Sequence, residues 1–237
     1  MVHFEVLERL GVSTAVLSDK CDGDMALRES GEGGGVAARA QACAACGVRP
    51  ENLVLGRQVH GTGIAIVGLA DRGRGALTRA TAIETTDGLV TAESGVPMAI
   101  LVADCVPVYL FDPSRRAAGL VHAGRRGTFG NVAGRAVRVM AEALGTRVDD
   151  LHAVIGPSAG PCCYEVSEEL ARDFREAGLP VRGRHLDLWE ANARQLAGAG
   201  VPAGNISTMG VCTICSGRFH SFRRDGGKGR NMALLAV

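Results

Sequence analysis

His60, Cys105 and His122 each follow an apolar stretch and adjoin a turn, in "GRQVHGTG", "ILVADCVP" and "GLVHAGRR". Side chains at the ends of separate strands can converge on one point, and two imidazoles with one thiolate make a three-donor set for zinc. Such a set keeps the fourth position open for water or substrate, as a catalytic site requires, and zinc there brings the pKa of bound water to about 7. The spacings of 45 and 17 residues match no compact zinc motif, so other readings of the same residues stay open. Cys105 could be a nucleophile whose thiol is acidified by His60 or His122. Two His and one Cys also suit copper, although no methionine falls close after His122 to serve as an axial ligand. The plainest reading is two strand-end histidines and a buried thiol.

Asp104, beside Cys105, interrupts two apolar runs, and a buried carboxylate costs several kcal/mol unless it finds partners. It therefore reads as a candidate for ligand contact or proton transfer. Asp87 in "TTDGLV" has an Asp-Gly turn as a sufficient explanation, with a polar contact to a ligand left open. "HAGRRGTFGNVAGR" places Arg125 and Arg126 at a Gly-rich turn that opens a helix, a setting that favours an anion. Arg223, Arg224 and Arg230 offer the same fork geometry for phosphate. The Gly-Lys-Ser/Thr of a Walker loop is absent. Cys43/Cys46 and Cys212/Cys215 both have Cys-x-x-Cys spacing, but the pairs are far apart and ordinary packing is expected of each. "IGPSAGPCCYEV", around Cys162 and Cys163, reads as a loop that shapes a pocket. His3, His152, His185 and His220 lack a comparable turn context.

The elements that must position these groups follow from periodicity and turn residues. "HFEVLERLGVSTAVLS" reads as a hairpin and "CDGDMALRESGEGGG" as a mobile, acidic, Gly-rich loop. A helix runs through Cys46 and stops at Gly47. "ENLVLGRQVHGTGIAIVG" has a strand–turn–strand pattern in which His60 closes a strand, and residues 70–84 read as a surface loop. Three strands follow, "PMAILVADC", "VPVYLFDP" and "RAAGLVHAG", with Cys105 ending the first and His122 the third. Helices are expected over "GRRGTFGNVAGRAVRVMAEALG", "SEELARDFREAG" and "LDLWEANARQLAGAG", with "LHAVIGP" a buried strand. The C-terminal "GRFHSFRRDGGKGRNMALLAV" reads as two strands around a turn. Strands and helices mix without strict alternation, which favours α+β over a doubly wound sheet.

With 237 residues, 46% of them apolar, the chain can bury a full core. A formal net charge of +1 argues against a protein that wraps a nucleic-acid backbone. Lys20 and Lys228 are the only lysines among 26 basic residues, so arginine abundance by itself carries little functional weight. No N-terminal segment resembles a signal peptide and no apolar run of about 18 residues could span a bilayer, so the expected compartment is the cytoplasm, with the eight cysteines reduced.

"RQVHGTGIAIV", "TDGLVT", "ADCVPVYLFD", "GLVHAGRRGT", "IGPSAGPCCYEV" and "SFRRDGGKGRNMALL" together resemble the ordered motif set of the YfiH, or laccase-domain, family, from about Gly11 to the C-terminus. The resemblance implies a single α+β domain over residues 1–237, with two layered β-sheets flanked by helices (α/β/β/α). It implies a metal-binding cluster made of His60, Cys105 and His122, with zinc as the metal and copper as the alternative. It also implies an enzyme of purine nucleosides, carrying out phosphorolysis of adenosine, inosine or methylthioadenosine with phosphate, and deamination of adenosine. Gln58, Asp87, Asp104, Arg126, Arg223 and Arg230 are the expected substrate-binding residues. Competing expectations are a cysteine- or zinc-dependent hydrolase editing peptidoglycan precursors, a copper-dependent phenol oxidase, and a non-catalytic, metal-stabilised nucleoside-binding protein. Two departures stand out: Arg125 occupies the position where the family commonly has Trp, and the family's Asn-Arg pair is missing around "GVAARAQ", which weakens the case for a ligand contact from that helix. The oligomeric state is left open.

Overall fold

In a computed structural model of the chain, the described residues are 1–27 and 35–237. The chain opens with β1 (Val2–His3), a helical turn α1 (Glu5–Glu8) and β2 (Thr14–Leu17). After α2 (Gly35–Ala45) come β3 (Val54–Leu55), β4 (Ile64–Ile66), β5 (Gly88–Thr91) and β6 (Met98–Val102). β7 (Val106–Asp112) and β8 (Ala117–Ala123) lead into α3 (Arg125–Phe129) and α4 (Val132–Leu144). Then follow β9 (His152–Ile155), α5 (Glu168–Glu176), β10 (Val181–Arg182), β11 (His185–Leu186), α6 (Leu188–Gly198), β12 (Ile206–Thr208), α7 (Phe222–Asp225) and β13 (Asn231–Ala236). The fold is mixed α+β, as the sequence pattern predicts.

Two sheets carry it. One has the order β1-β2-β13-β6-β3, the other β12-β9-β7-β8-β5-β4, and β10-β11 forms a separate ribbon. Leu17, Ile100 and Ala233 of the first sheet share a buried cluster with Tyr109, Leu120 and Val154 of the second, so the inner faces pack on each other. On the outer side of the first sheet, Ala38, Ala42 and Cys43 of α2 cover Val16, Ala99 and Leu234. On the outer side of the second, Val132, Ala136, Val137 and Met140 of α4 and Leu188 and Leu196 of α6 cover Val108, Leu110 and Val121. Strands buried on both faces read as near-continuous apolar runs, and "VPVYLF" is buried at every position.

The helix ends explain the breaks in the long helical stretch. Asn131 takes a left-handed conformation (φ 58°) between α3 and α4, and its side chain accepts from the Gly134 amide; Gly145 closes α4 at φ 67°. Ser167 and Asp187 cap α5 and α6 through the amides of Leu170 and Glu190, each contribution being about 1 kcal/mol. No helix among the described residues is long and apolar enough to cross a membrane.

Three local expectations are corrected. β1 and β2 do pair antiparallel, but α1 and a turn stand between them in place of a tight hairpin. β3 and β4 are not partners: β3 pairs with β6 in one sheet and β4 with β5 in the other, so "LGRQVHGTG" is a crossing between layers and His60 lies beyond the strand, not at its end. The C-terminal segment supplies one strand and one helical turn, because "SFRRDGG" is capped by the Ser221 hydroxyl on the Arg224 amide and closed by left-handed Gly226. The acidic Gly-rich loop expected to be mobile covers residues 21–35, of which 28–34 lie outside the described residues.

Candidate functional site

The sheet register brings the site together. Pro107 of β7 stands opposite His122 of β8, so Cys105, two residues before Pro107, arrives at the end of β8 that carries His122. Gly88 of β5 pairs with Val121 of β8, which sets Asp87 beside His122. The His122 amide donates to the Asp87 carbonyl at 2.7 Å, and the His122 ring Nδ1 lies 2.8 Å from Asp87 Oδ1. β4 runs parallel to β5, so the loop preceding β4 begins at the same end and brings His60 in.

Asp87 organises that loop. Its carboxylate, 0% exposed, accepts from the amides of Val59 (3.2 Å), His60 (2.9 Å) and Gly61 (2.7 Å) as well as meeting the His122 ring. Four hydrogen bonds offset the several kcal/mol that burying an ionised carboxylate costs. They also hold His60 at φ 60°, a conformation uncommon outside glycine. Burial pushes the Asp87 carboxyl up, but the His122 ring and the Gly61 and Val59 amides hold it below the ordinary carboxylate range. Asp87 does not line the cavity; where a ligand contact was left open, its carboxylate is taken up by the site's own backbone and His122.

One donor atom from each of His60, Cys105 and His122 lies within 4.8 Å of the other two, and the two imidazoles meet edge to face with centroids 4.8 Å apart. Burial opposes ionisation of the Cys105 thiol, but the His122 charge and hydrogen bonds with His122 and His60 bring it down to about 6. Burial likewise opposes the imidazolium of His122, and Cys105 and Asp87 outweigh it, raising His122 to about 9. A thiolate beside an imidazole whose other nitrogen is tied to a carboxylate is the donor chemistry a thiophilic metal ion needs. Space is left for an ion: a Cβ on Gly124 would come within 3.0 Å of both Cys105 Sγ and His60 Cδ2. The residues fit a metal ion.

The group opens into a cavity of about 1070 Å³. Among the described residues, Asp24 and Asp104 are the only carboxylates lining it, against Arg39, Arg57, Arg79, Arg125, Arg126, Arg223, Arg230 and Lys228, so the described lining is strongly cationic. Arg126 and Arg223 are fixed by carbonyls, Arg126 Nη2 donating to Val59 (3.1 Å) and Arg223 Nη1 to Glu165 (2.8 Å). Arg230 Nη1 donates to Gly227 and Gly229. Arg125 also lines the cavity; aromatic surface comes from Tyr164, over whose ring Arg223 lies at 5.1 Å, and from Phe222, which is 56% exposed.

Gln58 lines the cavity, but its amide pairs both ways with Leu101, donating to the carbonyl at 2.8 Å and accepting from the amide at 2.9 Å. Asp104, at φ 77°, accepts from the Thr213 hydroxyl (2.6 Å), the Ser221 hydroxyl (3.0 Å) and the Arg223 amide (2.8 Å). This explains an acid in an apolar run: it ties the β6–β7 crossing to the C-terminal loop, and its oxygens are committed to that task more than to moving a proton. Tyr164 and Phe222 were not singled out in the sequence, since each sits in a turn-rich motif whose partners are remote. Arg39 was discounted with its helix, yet it is 3% exposed and lines the cavity. Its guanidinium donates to the carbonyls of Met25, Gly75 and Ala76, and burial lowers it to about 10, which leaves it cationic at neutral pH.

The family model described as multi-copper polyphenol oxidoreductase laccase matches residues 9–237. The chain belongs to this family. The purine nucleoside phosphorylase YlmD of Geobacillus stearothermophilus is 43% identical over 197 residues, 78% of this chain and 72% of that protein. An adenosine deaminase, RL5, of an unknown prokaryotic organism is 36% identical over 191 residues, 76% of this chain and 72% of that protein. Among solved structures of the laccase-domain family, that of G. stearothermophilus YlmD superposes with a TM-score of 0.87 at 37% identity, covering 94% of this chain and 91% of that one. Bacillus licheniformis YfiH gives 0.86 at 31% identity, covering 94% and 92%.

Proposed function

We propose that this protein is a zinc-dependent enzyme of purine nucleosides, acting by phosphorolysis of adenosine, inosine or methylthioadenosine and by deamination of adenosine. The observation that carries the reading is the placement of the His60, Cys105 and His122 donors on a large cavity whose charged lining is mostly arginine. The names of the relatives point the same way, since one is a purine nucleoside phosphorylase and another an adenosine deaminase.

His60, Cys105 and His122 would hold the zinc, which when bound supplies a Lewis acid and an activated water. The chain's own residues do the rest. Asp87 fixes the His122 ring through Nδ1 and leaves Nε2 for the metal. Arg126, Arg223 and Arg230 offer guanidinium groups to phosphate, and their carbonyl anchors hold them in place before substrate arrives. Buried Arg39 adds a cation that favours an anionic ligand nearby. Tyr164 and Phe222 give a base flat apolar surfaces. Copper remains the competing metal, since two His and one Cys also suit it.

Purified protein incubated with adenosine and phosphate is expected to release adenine and ribose 1-phosphate, with inosine formed in parallel, and elemental analysis is expected to find zinc. Cys105→Ala and His122→Ala should each abolish both activities. Full turnover by either variant overturns the assignment. Product formation from muropeptide precursors alone would favour the hydrolase reading, and oxidation that stops without dioxygen would favour the phenol oxidase.

A further inference from the structure

Two loops distant in sequence bring four more sulfurs together. One donor atom from each of Cys162, Cys163, Cys212 and Cys215 lies within 4.8 Å of the other three. The Sγ atoms of Cys162 and Cys215 are 3.9 Å apart, and all four residues are free thiols. A tetrahedral ion with zinc–sulfur bonds of about 2.3 Å separates its sulfurs by roughly 3.8 Å, so the loops already stand near the spacing that such an ion imposes. The backbone is arranged for a thiolate as well. Cys212, which is buried, accepts the Gly160 amide at 3.3 Å. An N–H aimed at a sulfur suits a thiolate better than a neutral thiol, which is a weak acceptor.

We propose that Cys162, Cys163, Cys212 and Cys215 form a closed tetrathiolate zinc site, separate from the His60–Cys105–His122 group. Four protein ligands leave no position for water, so the ion is structural. It fastens the loop after β9 to the loop after β12, which already meet through the Ser158 amide on the Val211 carbonyl (3.2 Å) and the Thr213 amide on the Ser158 carbonyl (2.9 Å). Both loops serve the cavity. The first ends in Tyr164, and the second holds Asp104 through Thr213 and the C-terminal loop through Arg224, whose Nη1 donates to the Thr213 and Ile214 carbonyls. Metal binding displaces the thiol protons, so it releases protons to solvent and weakens as pH falls.

Cys105→Ala removes a ligand of the other group, so metal retained by that variant reports on the four cysteines alone. Produced in zinc-supplemented medium and purified under reductant, Cys105→Ala is expected to hold one zinc per chain and to lose it when Cys162→Ser and Cys215→Ser are added. X-ray absorption of the zinc in Cys105→Ala is expected to give a sulfur-only shell at about 2.3 Å; this measurement stands even if the triple variant does not fold. A Cys105→Ala protein that keeps no zinc overturns the proposal, as does zinc in a nitrogen- and oxygen-containing shell. A Cys162–Cys215 disulfide in the metal-free native protein, found by peptide mapping, overturns it too.

Discussion

Asp87 is the residue on which the geometry of the His60–Cys105–His122 group turns, although it does not line the cavity. One buried carboxylate fixes the orientation of the His122 ring and the left-handed turn at His60, so two of three donors depend on it. Asp87→Asn keeps the shape and an acceptor oxygen but removes the charge that favours a metal-ready imidazole. Outer-shell partners of metal-ligating histidines typically account for 10- to 100-fold in affinity. Asp87→Asn is therefore expected to weaken zinc binding by roughly 10- to 100-fold, read by competition with a chromophoric chelator, while far-UV circular dichroism stays unchanged. Unaltered affinity would show that the contact is packing alone. Arg39 follows the same logic: α2 delivers a buried cation to the cavity because three backbone carbonyls solvate its guanidinium.

Elements place these residues by register, and here the sequence is readable only in part. His60, Cys105 and His122 stood out because turn formers flank each of them, and the strands over 98–102, 106–112 and 117–123 follow from apolar runs bounded by turns. The pairing of β3 and β4 with different sheets was hidden, since local pattern reports a turn between two strands but not which neighbour each strand finds. The four-cysteine group was hidden for the same reason: Cys212/Cys215 alone reads as packing and Cys162/Cys163 as a pocket-shaping loop, and only the long-range pairing, with its Ser158–Cys212 bridge, brings the two loops together. The junction of β8 and α3 offers a test at this scale. Gly124 has φ −72°, which alanine adopts without strain, yet its Cβ would stand 3.0 Å from Cys105 Sγ and His60 Cδ2. Gly124→Ala is expected to change the melting temperature little and to reduce zinc content and adenosine turnover at least tenfold. Wild-type zinc content in Gly124→Ala would mean that the donors move aside freely and that the glycine does not shape the site.

For the whole molecule, the first sheet joins strands far apart in the sequence. β13 lies between β2 and β6, so the sheet that carries the β6–β7 crossing, and with it Cys105, closes only when the C-terminal strand docks. Contacts of such long sequence separation form late and slowly, which places weight on links between the chain's two ends. Asp19 is one: Arg218 Nε donates to its carboxylate at 2.8 Å, and its other oxygen accepts the Cys21 amide. Burial raises the Asp19 carboxyl, but the bond from Arg218, the N-terminal ammonium and the Cys21 amide outweigh it and hold the group below its ordinary value of 3.8. A carboxylate with a depressed folded pKa contributes stability in full above its unfolded value, and that contribution disappears as pH falls through the lower folded one. Asp19→Asn is therefore expected to melt at a lower temperature than the parent at pH 7, with the gap narrowing once pH drops below about 3.8. A gap that stays constant across that range would mean that the link acts through shape and hydrogen bonding alone, without a contribution from the charge.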